Sequence, residues 1–273
     1  MSGGFDWAAF GTGALASAGA SYAAMLATFA VGVARGRHRY VDITWGLAFT
    51  AVAWTSYGLS ASHGDDGRRL LAAALTTVWG VRLAAHIARR GRGHDEDPRY
   101  ERMLSRAPGS RALYALRKVY LLQGALAWVI SLPVQAACYL DVPLGPLAYA
   151  GAVLWAAGTA CEAVGDHQLA RFKADPANKG KIMDRGLWSW TRHPNYFGEF
   201  LLWWGLFLLA CARWETALLT VVSPLLVSFL VTRGSGKRLL EAHMADRPGF
   251  AEYQRRTSGF VPWPPRARAT RGG

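Results

Sequence analysis

The stretch from residue 189 to residue 205, SWTRHPNYFGEFLLWWG, joins a polar cluster directly to an apolar run. Proline suits the first position of a helix, because the N–H group that it lacks would have no intrahelical partner there. We therefore predict a helix that begins at Pro194 and continues through the apolar residues. Asn195 and Glu199 are four residues apart and would share one face of that helix.

Comparable apolar blocks recur along the chain. Although 52% of the 273 residues are hydrophobic, the mean hydropathy is only +0.10, because 31 Lys and Arg residues lie among them. A helix needs about 20 apolar residues to cross the hydrocarbon of a bilayer. The sequence predicts an all-α fold, a polytopic membrane helix bundle with about seven transmembrane helices. The expected spans are residues 8–34, 41–62, 69–88, 119–140, 144–165, 196–212 and 214–232.

Basic residues are distributed unevenly about these spans. If all the spans cross, only Arg68, Arg69 and Arg213 lie on one side, and the other Lys and Arg residues lie opposite. Lys-rich and Arg-rich loops stay in the cytoplasm, so the N-terminus is predicted outside and the C-terminus in the cytoplasm. We expect an integral protein of a bacterial inner (plasma) membrane. The net charge of +13 then faces membrane lipids and a bound anion, and no nucleic-acid partner is expected.

The chain is predicted to form a single integral membrane domain, residues 1–273, that ends in a basic tail at 266–273. Its start lacks a basic n-region and a small-residue cleavage site, so no cleaved signal peptide is expected. Cys138, Cys161 and Cys211 occur at unrelated spacings within apolar blocks, which indicates neither a disulfide framework nor a zinc site. No feature of the sequence specifies the oligomeric state.

The start of the sixth span is predicted to bind an anion. The first turn of a helix has unpaired amides at the positive end of the helix dipole. Arg192 and His193 stand immediately before Pro194 and would add charged donors for a phosphate. Glu199 would lie just over one turn inside the membrane, where a carboxylate is costly unless it is paired or faces a wet cavity.

The end of the fifth span carries a matching set of polar residues. Glu162, Asp166 and Lys173 follow a spacing of four and then seven, which keeps them on one helix face, with Arg171 on its flank. The carboxylates could accept hydrogen bonds from ribose hydroxyls while the cations meet phosphate. A carboxylate pair could also bind a metal, but no second histidine lies at ligand spacing, so no metal is expected.

Together, the two segments predict a crevice, open to the cytoplasm, that holds an adenosine phosphate cofactor. Phosphate donors would line its mouth, and carboxylates and an amide would lie deeper. No Rossmann fingerprint or P-loop occurs in the sequence, so the cofactor would be bound in a manner particular to membrane proteins.

Several motifs carry a family resemblance. The run ExxxDxQLxRFKxDPxNKGKxxDxGLWxxTRHPNYFGE at 162–199 and the tail LLExxxxxRxGFxxYxxRTSxFVPxxP resemble the DUF1295 branch of the steroid 5-alpha-reductase-like membrane family, which is similar to the C-terminal part of 3-oxo-5-alpha-steroid 4-dehydrogenases. The same resemblance is carried by VDITWG (41–46), RxxxHIxxR (82–90), EDPRY (96–100) and LQGALAWVISLP (122–133). The similarity covers about residues 40–265. The shorter pattern RHPxYxGE also resembles isoprenylcysteine carboxyl methyltransferases and phospholipid methyltransferases.

The resemblance implies a seven-helix bundle that binds NADPH between its cytoplasmic loops and helices five to seven. It implies hydride delivery to a conjugated C=C bond of a small apolar, lipid-like substrate. The implied cofactor-binding residues are Glu162, Asp166, Arg171, Lys173, Lys181, Arg192, His193, Asn195, Tyr196, Glu199 and Arg238. Of these, Arg171, Lys173, Lys181 and Arg238 would suit the 2′-phosphate of NADPH.

The chain differs from the steroid reductases at the positions expected to be catalytic. Those enzymes use a helix-two Glu and a helix-three Tyr to polarise the substrate carbonyl. Asp42 stands at the helix-two position, and Trp79, which has no dissociable proton, stands where the Tyr should be. Either a group such as Tyr57, His86 or Tyr120 supplies the proton, or the substrate is not an ordinary 3-keto-4-ene steroid. Asp42 could instead serve only as a negative charge at a helix N-terminus.

The preferred interpretation is an NADPH-dependent oxidoreductase of lipid metabolism that acts on CH–CH groups of a steroid, isoprenoid or other lipid. The alternative is an S-adenosylmethionine-dependent membrane methyltransferase of the isoprenylcysteine carboxyl methyltransferase type, which would explain the RHPNYFGE and tail motifs equally well. The polar residues from Glu162 to Lys173 favour NADPH, a dinucleotide that is longer than S-adenosylmethionine. A non-catalytic helical scaffold or lipid-binding protein is the third hypothesis, but it leaves the polar side chains at membrane depth unexplained.

Overall fold

The computed structural model describes residues 4–93, 95–234 and 236–266. Within these ranges most of the chain is helical, including a π-helical segment at Leu116–Tyr120 and a 3-10 turn at Pro176–Asn178, and the nearest feature to a strand is one isolated parallel bridge between Thr191 and Ser258. The predicted all-α fold is confirmed. The helices are α1 (Trp7–Arg35), α2 (Tyr40–Leu59), α3 (Asp66–Arg90), α4 (Pro98–Leu104), α5 (Arg111–Ala115), α6 (Leu121–Ile130), α7 (Leu132–Cys138), α8 (Pro146–Ala174), α9 (Leu187–Trp190), α10 (Pro194–Ala210), α11 (Trp214–Thr220), α12 (Val222–Thr232), α13 (Lys237–Met244) and α14 (Phe250–Arg256).

Capping residues set the bounds of several helices. Asp6 caps α1 and Asp65 caps α3, each by accepting a hydrogen bond of 2.9 Å from a backbone N–H three residues further on. Such caps satisfy amides that the first turn leaves unpaired. Helix α1 is followed by Gly36, which caps its C-terminal end and whose φ of 63° is a conformation that favours glycine. Pro194 is the first residue of α10, as the sequence predicts.

Four helical segments are long and apolar enough to cross a membrane, Trp7–Arg35, Asp66–Arg90, Pro146–Ala174 and Trp214–Met244. A bent pair, Arg111–Ile130 and Leu132–Cys138, would be a fifth span with a 46° bend. Pro133 lies at the start of the second member, and its missing N–H accounts for the bend. These helices indicate an integral membrane protein. The count of seven spans stays a prediction, because α2 and α10 are not among these segments.

The chain divides into two compact units, Met1–Gly151 with Leu206–Ser223 and Ala152–Gly205 with Pro224–Gly273. The single-domain interpretation stays a prediction. Of the predicted basic tail at 266–273, all but the first residue lie outside the described residues.

In the first unit, α1 and α2 are antiparallel. Two hydroxyl pairs join them, because Ser17 Oγ lies 2.9 Å from Ser56 Oγ and Thr28 Oγ1 lies 2.7 Å from Thr44 Oγ1. As residue numbers rise along α1 they fall along α2, so the two helices run in opposite directions. The pairs also satisfy hydroxyl groups that would otherwise face apolar surroundings.

Helix α2 also approaches α3 at two glycines of the first unit. A Cβ atom on Gly46 would lie 2.3 Å from the carbonyl oxygen of Gly80, and a Cβ atom on Gly80 would lie 2.3 Å from that of Gly46. Real Cβ atoms do not come so close to backbone atoms. In lipid, helices associate through such close backbone contacts between small residues.

Two buried arginines fix the end of this unit where α3 begins. Arg68 donates hydrogen bonds to three backbone carbonyls, one of which belongs to Leu209 in the last turn of α10. Arg69 donates to the carbonyl of Tyr57 near the end of α2, and its guanidinium lies over the Tyr57 ring. Cations are favourable at helix C-termini, where carbonyls lack intrahelical partners. The two side chains therefore serve helix packing.

In the second unit, α8 and α10 are in backbone contact. A Cβ atom on Gly158 would lie 2.6 Å from the carbonyl oxygen of Gly198 and 2.6 Å from the amide nitrogen of Leu202. A Cβ atom on Gly198 would lie 2.5 Å from the amide nitrogen of Glu162. The two helices are antiparallel, and the glycines bring their polar ends close together.

Candidate functional site

Asp166 and Asn195, two of the predicted cofactor residues, lie together in the second unit. The Nδ2 atom of Asn195 is 3.4 Å from Oδ1 of Asp166, slightly longer than an ordinary N–H···O hydrogen bond. Glu162 lies one turn before Asp166 on α8, and both carboxyl side chains are buried. Glu199 lies one turn after Asn195 on α10 and is half-buried. Carboxylates and an amide therefore share a polar site where α8 meets α10.

The residues before α10 are fixed onto α8 by side-chain contacts. The indole Nε1 of Trp188 donates to the carbonyl of Gly165 at 3.0 Å, and Gln168 Oε1 accepts from the backbone N–H of Leu187 at 3.0 Å. Gly165 has no side chain, so Pro194 can pack directly against its backbone. These contacts set the position of Asn195 relative to Asp166.

Arg192, a predicted phosphate donor, binds the C-terminal segment. Its Nε donates to Oε1 of Glu241 at 2.9 Å, and its Nη1 donates to the carbonyls of Thr257 at 2.7 Å and Gln254 at 3.2 Å. The Arg192 side chain is only 11% exposed. The guanidinium therefore holds the C-terminal segment against the start of α10, and its role toward phosphate stays a prediction.

His193 shares the same carboxylate. Its Nε2 lies 3.0 Å from Oε1 of Glu241, and its ring stacks on Tyr196 with centroids 5.6 Å apart. Burial lowers the pKa of His193 below its ordinary value of 6.5, although Glu241 acts in the opposite direction. Sequence reasoning missed Glu241, because its partner Arg192 is 49 residues away and nothing in the spacing links them.

The C-terminal segment lies along the residues that precede α10. The Tyr253 hydroxyl donates to the carbonyl of Trp188 at 2.6 Å, and the Thr191 hydroxyl donates to that of Phe260 at 2.8 Å. These contacts give the tail motif a physical purpose, since its aromatic and hydroxyl residues position the segment that carries Asn195.

The second unit also carries basic side chains. They are exposed at the four positions expected to suit the 2′-phosphate, Arg171, Lys173, Lys181 and Arg238. Lys237, which sequence reasoning missed, lies beside Arg192, because a Cβ atom on Gly259 would lie 2.8 Å from Nζ of Lys237 and 3.2 Å from Nη2 of Arg192. The adjacent pair Lys237 and Arg238 was visible in the sequence, but only the start of α13 determines which of the two faces inward.

In the first unit, Asp42 lies in the first turn of α2 and is hydrogen-bonded on both oxygens. Its carboxylate accepts from Arg99 at 2.7 Å and from the Tyr100 hydroxyl at 2.5 Å. Burial and the charge of Asp42 raise the pKa of Tyr100, so the phenol stays protonated at neutral pH. Sequence reasoning missed Tyr100 as a partner, although the EDPRY motif contains it, because no local pattern shows that α4 returns to the start of α2.

Tyr120 belongs to the same polar cluster. Its hydroxyl is 2.9 Å from Nδ1 of His38, and the tyrosine is fully buried. Burial lowers the pKa of His38, although nearby Glu96 acts in the opposite direction. Glu96 accepts hydrogen bonds from the backbone N–H groups of His38 and Arg39, just before α2 begins. Asp42 and Tyr120 therefore lie at the same end of α2.

Other predicted residues lie elsewhere in the first unit. Tyr57 is fifteen positions after Asp42 on α2, which at the helical rise is roughly 22 Å away. His86 is half-buried on α3. Trp79 is fully buried, with its ring centroid 5.3 Å from that of Phe49, so it fills the core of this unit. Tyr57 and Asp42 cannot contact the same substrate atom.

Among the described residues, no group of three or more His, Cys, Asp or Glu side chains is placed to hold a metal ion. Cys138, Cys161 and Cys211 are not joined in disulfides. The expectation of a metal-independent protein stays a prediction.

Comparisons with known proteins give a family match and a similar, uncharacterised protein. A family model described as "Protein of unknown function (DUF1295)" matches residues 28–257. The chain is also similar to an uncharacterised protein of the fission yeast Schizosaccharomyces pombe, with 27% identity over 81% of this chain and 72% of the relative. No solved structure matches the chain.

Proposed function

The chain belongs to the DUF1295 family, which is the steroid 5-alpha-reductase-like group, and on this basis we propose that it is an NADPH-dependent membrane reductase. The proposed reaction transfers hydride to one carbon of a conjugated C=C bond in a steroid, isoprenoid or other lipid, and a proton to the other. When bound, NADPH would supply the hydride.

The juxtaposition of Asp166 and Asn195 supports this proposal most strongly. The two side chains come from different helices and meet beside Glu162, where the carboxylates are buried. Carboxylates and an amide suit the hydroxyl and amide groups of a nucleotide, since burying such groups without partners would cost several kcal/mol. Exposed cations nearby, Lys173 among them, suit its phosphates. These residue types fit an adenosine dinucleotide.

The proton would come from the polar cluster at the start of α2. Tyr120 would hold a phenol proton next to His38, and a neutral imidazole that donates its Nδ1 proton to the phenol oxygen would leave the phenol proton free for the substrate. Asp42 would orient Tyr100 in the same cluster. Tyr120 would then supply the proton, since Trp79 stands at the position where the steroid reductases have a tyrosine hydroxyl.

The proposed arrangement in the membrane has seven spans, with α2 and α10 crossing as well. We place the N-terminus outside and the basic loops and C-terminus in the cytoplasm of a bacterial cell, because basic loops are retained there. An isoprenoid or steroid substrate would enter from the membrane lipids.

Ligand-induced stabilisation of the detergent-purified protein tests the cofactor. NADPH at about 100 times its dissociation constant should stabilise the wild-type protein by about 2.7 kcal/mol. Asp166→Asn and Asn195→Ala should weaken NADPH binding about tenfold or more, because hydrogen bonds to charged groups contribute about 1.5 to 3 kcal/mol. Asp246→Asn, which changes an exposed carboxylate of the same unit, is the matched control.

Two results would contradict the proposal. Stabilisation by S-adenosylmethionine alone would support the methyltransferase hypothesis in its place. Unchanged NADPH affinity in both Asp166→Asn and Asn195→Ala would mean that the cofactor does not bind where α8 meets α10.

A further inference from the structure

Two cationic nitrogens of the second unit meet beside a glycine of the C-terminal segment. A Cβ atom on Gly259 would lie 2.8 Å from Nζ of Lys237 and 3.2 Å from Nη2 of Arg192. Both nitrogens therefore lie within 3.2 Å of one point, which a side chain at residue 259 would crowd. Like charges held so close repel each other, and a bound anion would offset that repulsion.

The two side chains have donor capacity that the protein does not use. Arg192 donates from Nε to Glu241 and from Nη1 to two backbone carbonyls, whereas Nη2 donates to no described residue. Lys237 is half-buried and lies four residues before Glu241 on α13. Within the described ranges it pairs with no carboxylate, and its ammonium lies beside Gly259 with three N–H donors.

The charge balance at this point is positive. Among the residues that the structure describes, Glu241 is the carboxylate that contacts Arg192, and His193 shares it. Burial lowers the pKa of His193, so its imidazole adds no charge at neutral pH. One carboxylate therefore faces two cations. Helix α13 begins at Lys237, and the positive end of its dipole adds to their field.

The position beside Gly259 is enclosed and close to the polar site. The Arg192 side chain is only 11% exposed, and the carbonyls of Thr257 and Gln254 fix its guanidinium. Arg192 also stands three residues before Asn195. An enclosed position suits a terminal phosphate, which is bonded to its carrier on one side, whereas a diphosphate continues on both sides. A phosphate monoester carries a charge of about −1.5 to −2 at neutral pH, which matches two cations.

We propose that Lys237 and Arg192 bind the 2′-phosphate of NADPH beside Gly259. The inference rests on the proposed reductase function and deepens it, because it names the residues that would distinguish NADPH from NADH. Nζ and Nη2 would donate to oxygens of the phosphate, and the absence of a side chain on Gly259 would keep both cations within reach. Lys237 would thereby take the role that the sequence favours for its exposed neighbour Arg238.

The test measures NADPH and NADH binding to the full chain in neutral detergent by isothermal titration calorimetry. The wild-type protein should bind NADPH more tightly than NADH. Lys237→Gln should weaken NADPH binding about tenfold or more, because it removes a charge-assisted hydrogen bond, and should leave NADH binding unchanged. Lys237→Arg keeps the charge and should retain most of the affinity. Lys179→Gln, which changes an exposed lysine of the same unit, should bind both nucleotides as the wild-type protein does.

A second variant tests the glycine. Gly259→Ala should also weaken NADPH binding and spare NADH binding, because the added Cβ atom would move Nζ of Lys237 away from Nη2 of Arg192. The φ angle of Gly259 is not positive, so alanine can adopt the same backbone conformation. Thermal unfolding without nucleotide should show that the variant is folded.

Several results would overturn the proposal. Equal losses of NADPH and NADH affinity in Lys237→Gln would assign this cation to the diphosphate. NADPH affinity that is unchanged in Lys237→Gln and Gly259→Ala, or lowered as much in Lys179→Gln, would remove the 2′-phosphate from this position. In each case the wild-type protein still binds NADPH, so the reductase proposal stands. If the wild-type protein binds neither nucleotide, the proposed function fails and the 2′-phosphate site fails with it.

Discussion

Tyr120 carries a phenol proton in the polar cluster at the start of α2, and its partner is a neutral imidazole. The hydroxyl lies 2.9 Å from Nδ1 of His38, and aromatic contact with Phe29 at 5.2 Å fixes the ring. A single hydroxyl with a fixed direction is what a reaction that adds one proton requires. The residue can therefore be separated experimentally from the proposed nucleotide site, whose residues lie in the second unit.

Tyr120→Phe should lower reductase activity about 100-fold or more while NADPH affinity stays unchanged, because only the proton-transfer step loses a group. Activity is measured as NADPH consumption with a panel of enones, and affinity by thermal shift. Tyr149→Phe, which removes a hydroxyl from an exposed side chain, is the control and should keep full activity. Retained activity in Tyr120→Phe would assign the proton to another group.

At the scale of elements, Gly158 and Gly198 determine how close α8 and α10 can come. A Cβ atom on Gly198 would lie 2.5 Å from backbone atoms of α8, so the two helices must separate to admit it. Separation would also move Asn195 away from Asp166, since these residues lie one helical turn further along the same contact. We therefore expect helix packing and the proposed nucleotide site to be coupled.

Gly198→Ala should destabilise the protein by about 1 to 3 kcal/mol, as overpacking does, and should weaken NADPH binding. Gly19→Ala is the matched control, because a Cβ atom at Gly19 on α1 meets nothing within 4 Å. That control should be neutral or slightly stabilising, since alanine favours a helix more than glycine does. Thermal unfolding with and without NADPH measures both effects. If the two variants behave alike, the close contact does not control the site.

The contact between the start of α10 and the C-terminal segment should depend on pH. Because burial lowers the pKa of His193, the unfolded chain binds more protons than the folded protein between the folded pKa and 6.5. The stability that neutral His193 provides is complete above 6.5 and is lost as the pH falls below that value. A protonated His193 would also lie beside Arg192 and Lys237.

The melting temperature should therefore fall as the pH is lowered from about 7.5 to about 5.5, and the fall should be smaller in His193→Gln. Part of the fall should remain, because burial lowers the pKa of His38 in the same direction. His167→Gln removes an exposed histidine and serves as the control. An identical fall in His193→Gln and the wild-type protein would rule out His193 as the source.

Local patterns in the sequence predict individual helices. They do not predict which residues of distant segments contact each other. Pro194 marked the start of α10, and helical spacing placed Glu162 and Asp166 on one face, because these features depend on neighbours within one helix. The partners of Arg192 in the C-terminal segment and of Asp42 on α4 depend on how distant parts of the chain meet. Such contacts leave no periodic trace in a single sequence.

At the scale of the whole molecule, the packing of α2 bears on how many times the chain crosses the membrane. Helix α2 has 20 residues and is about 30 Å long, which matches the hydrocarbon thickness. It runs antiparallel to α1, a candidate span, with contacts from Ser17 to Thr28 of that helix. These contacts place α2 alongside α1 over roughly 17 Å, about half of the hydrocarbon thickness. We therefore expect α2 to cross the membrane.

Single cysteines in a background without the native ones test this expectation with a membrane-impermeant thiol reagent on intact bacterial cells. The positions are Arg35 at the end of α1, Ser62 after α2 and Ser105 after α3 and α4. If α2 crosses and the N-terminus is outside, only Ser62→Cys is labelled, because each span moves the chain to the other side. Labelling of Ser105→Cys alone would mean that α2 stays on one side. Labelling of Arg35→Cys and Ser105→Cys together would mean that the orientation is inverted and that the basic loops face outward, against their attraction to the cytoplasmic side.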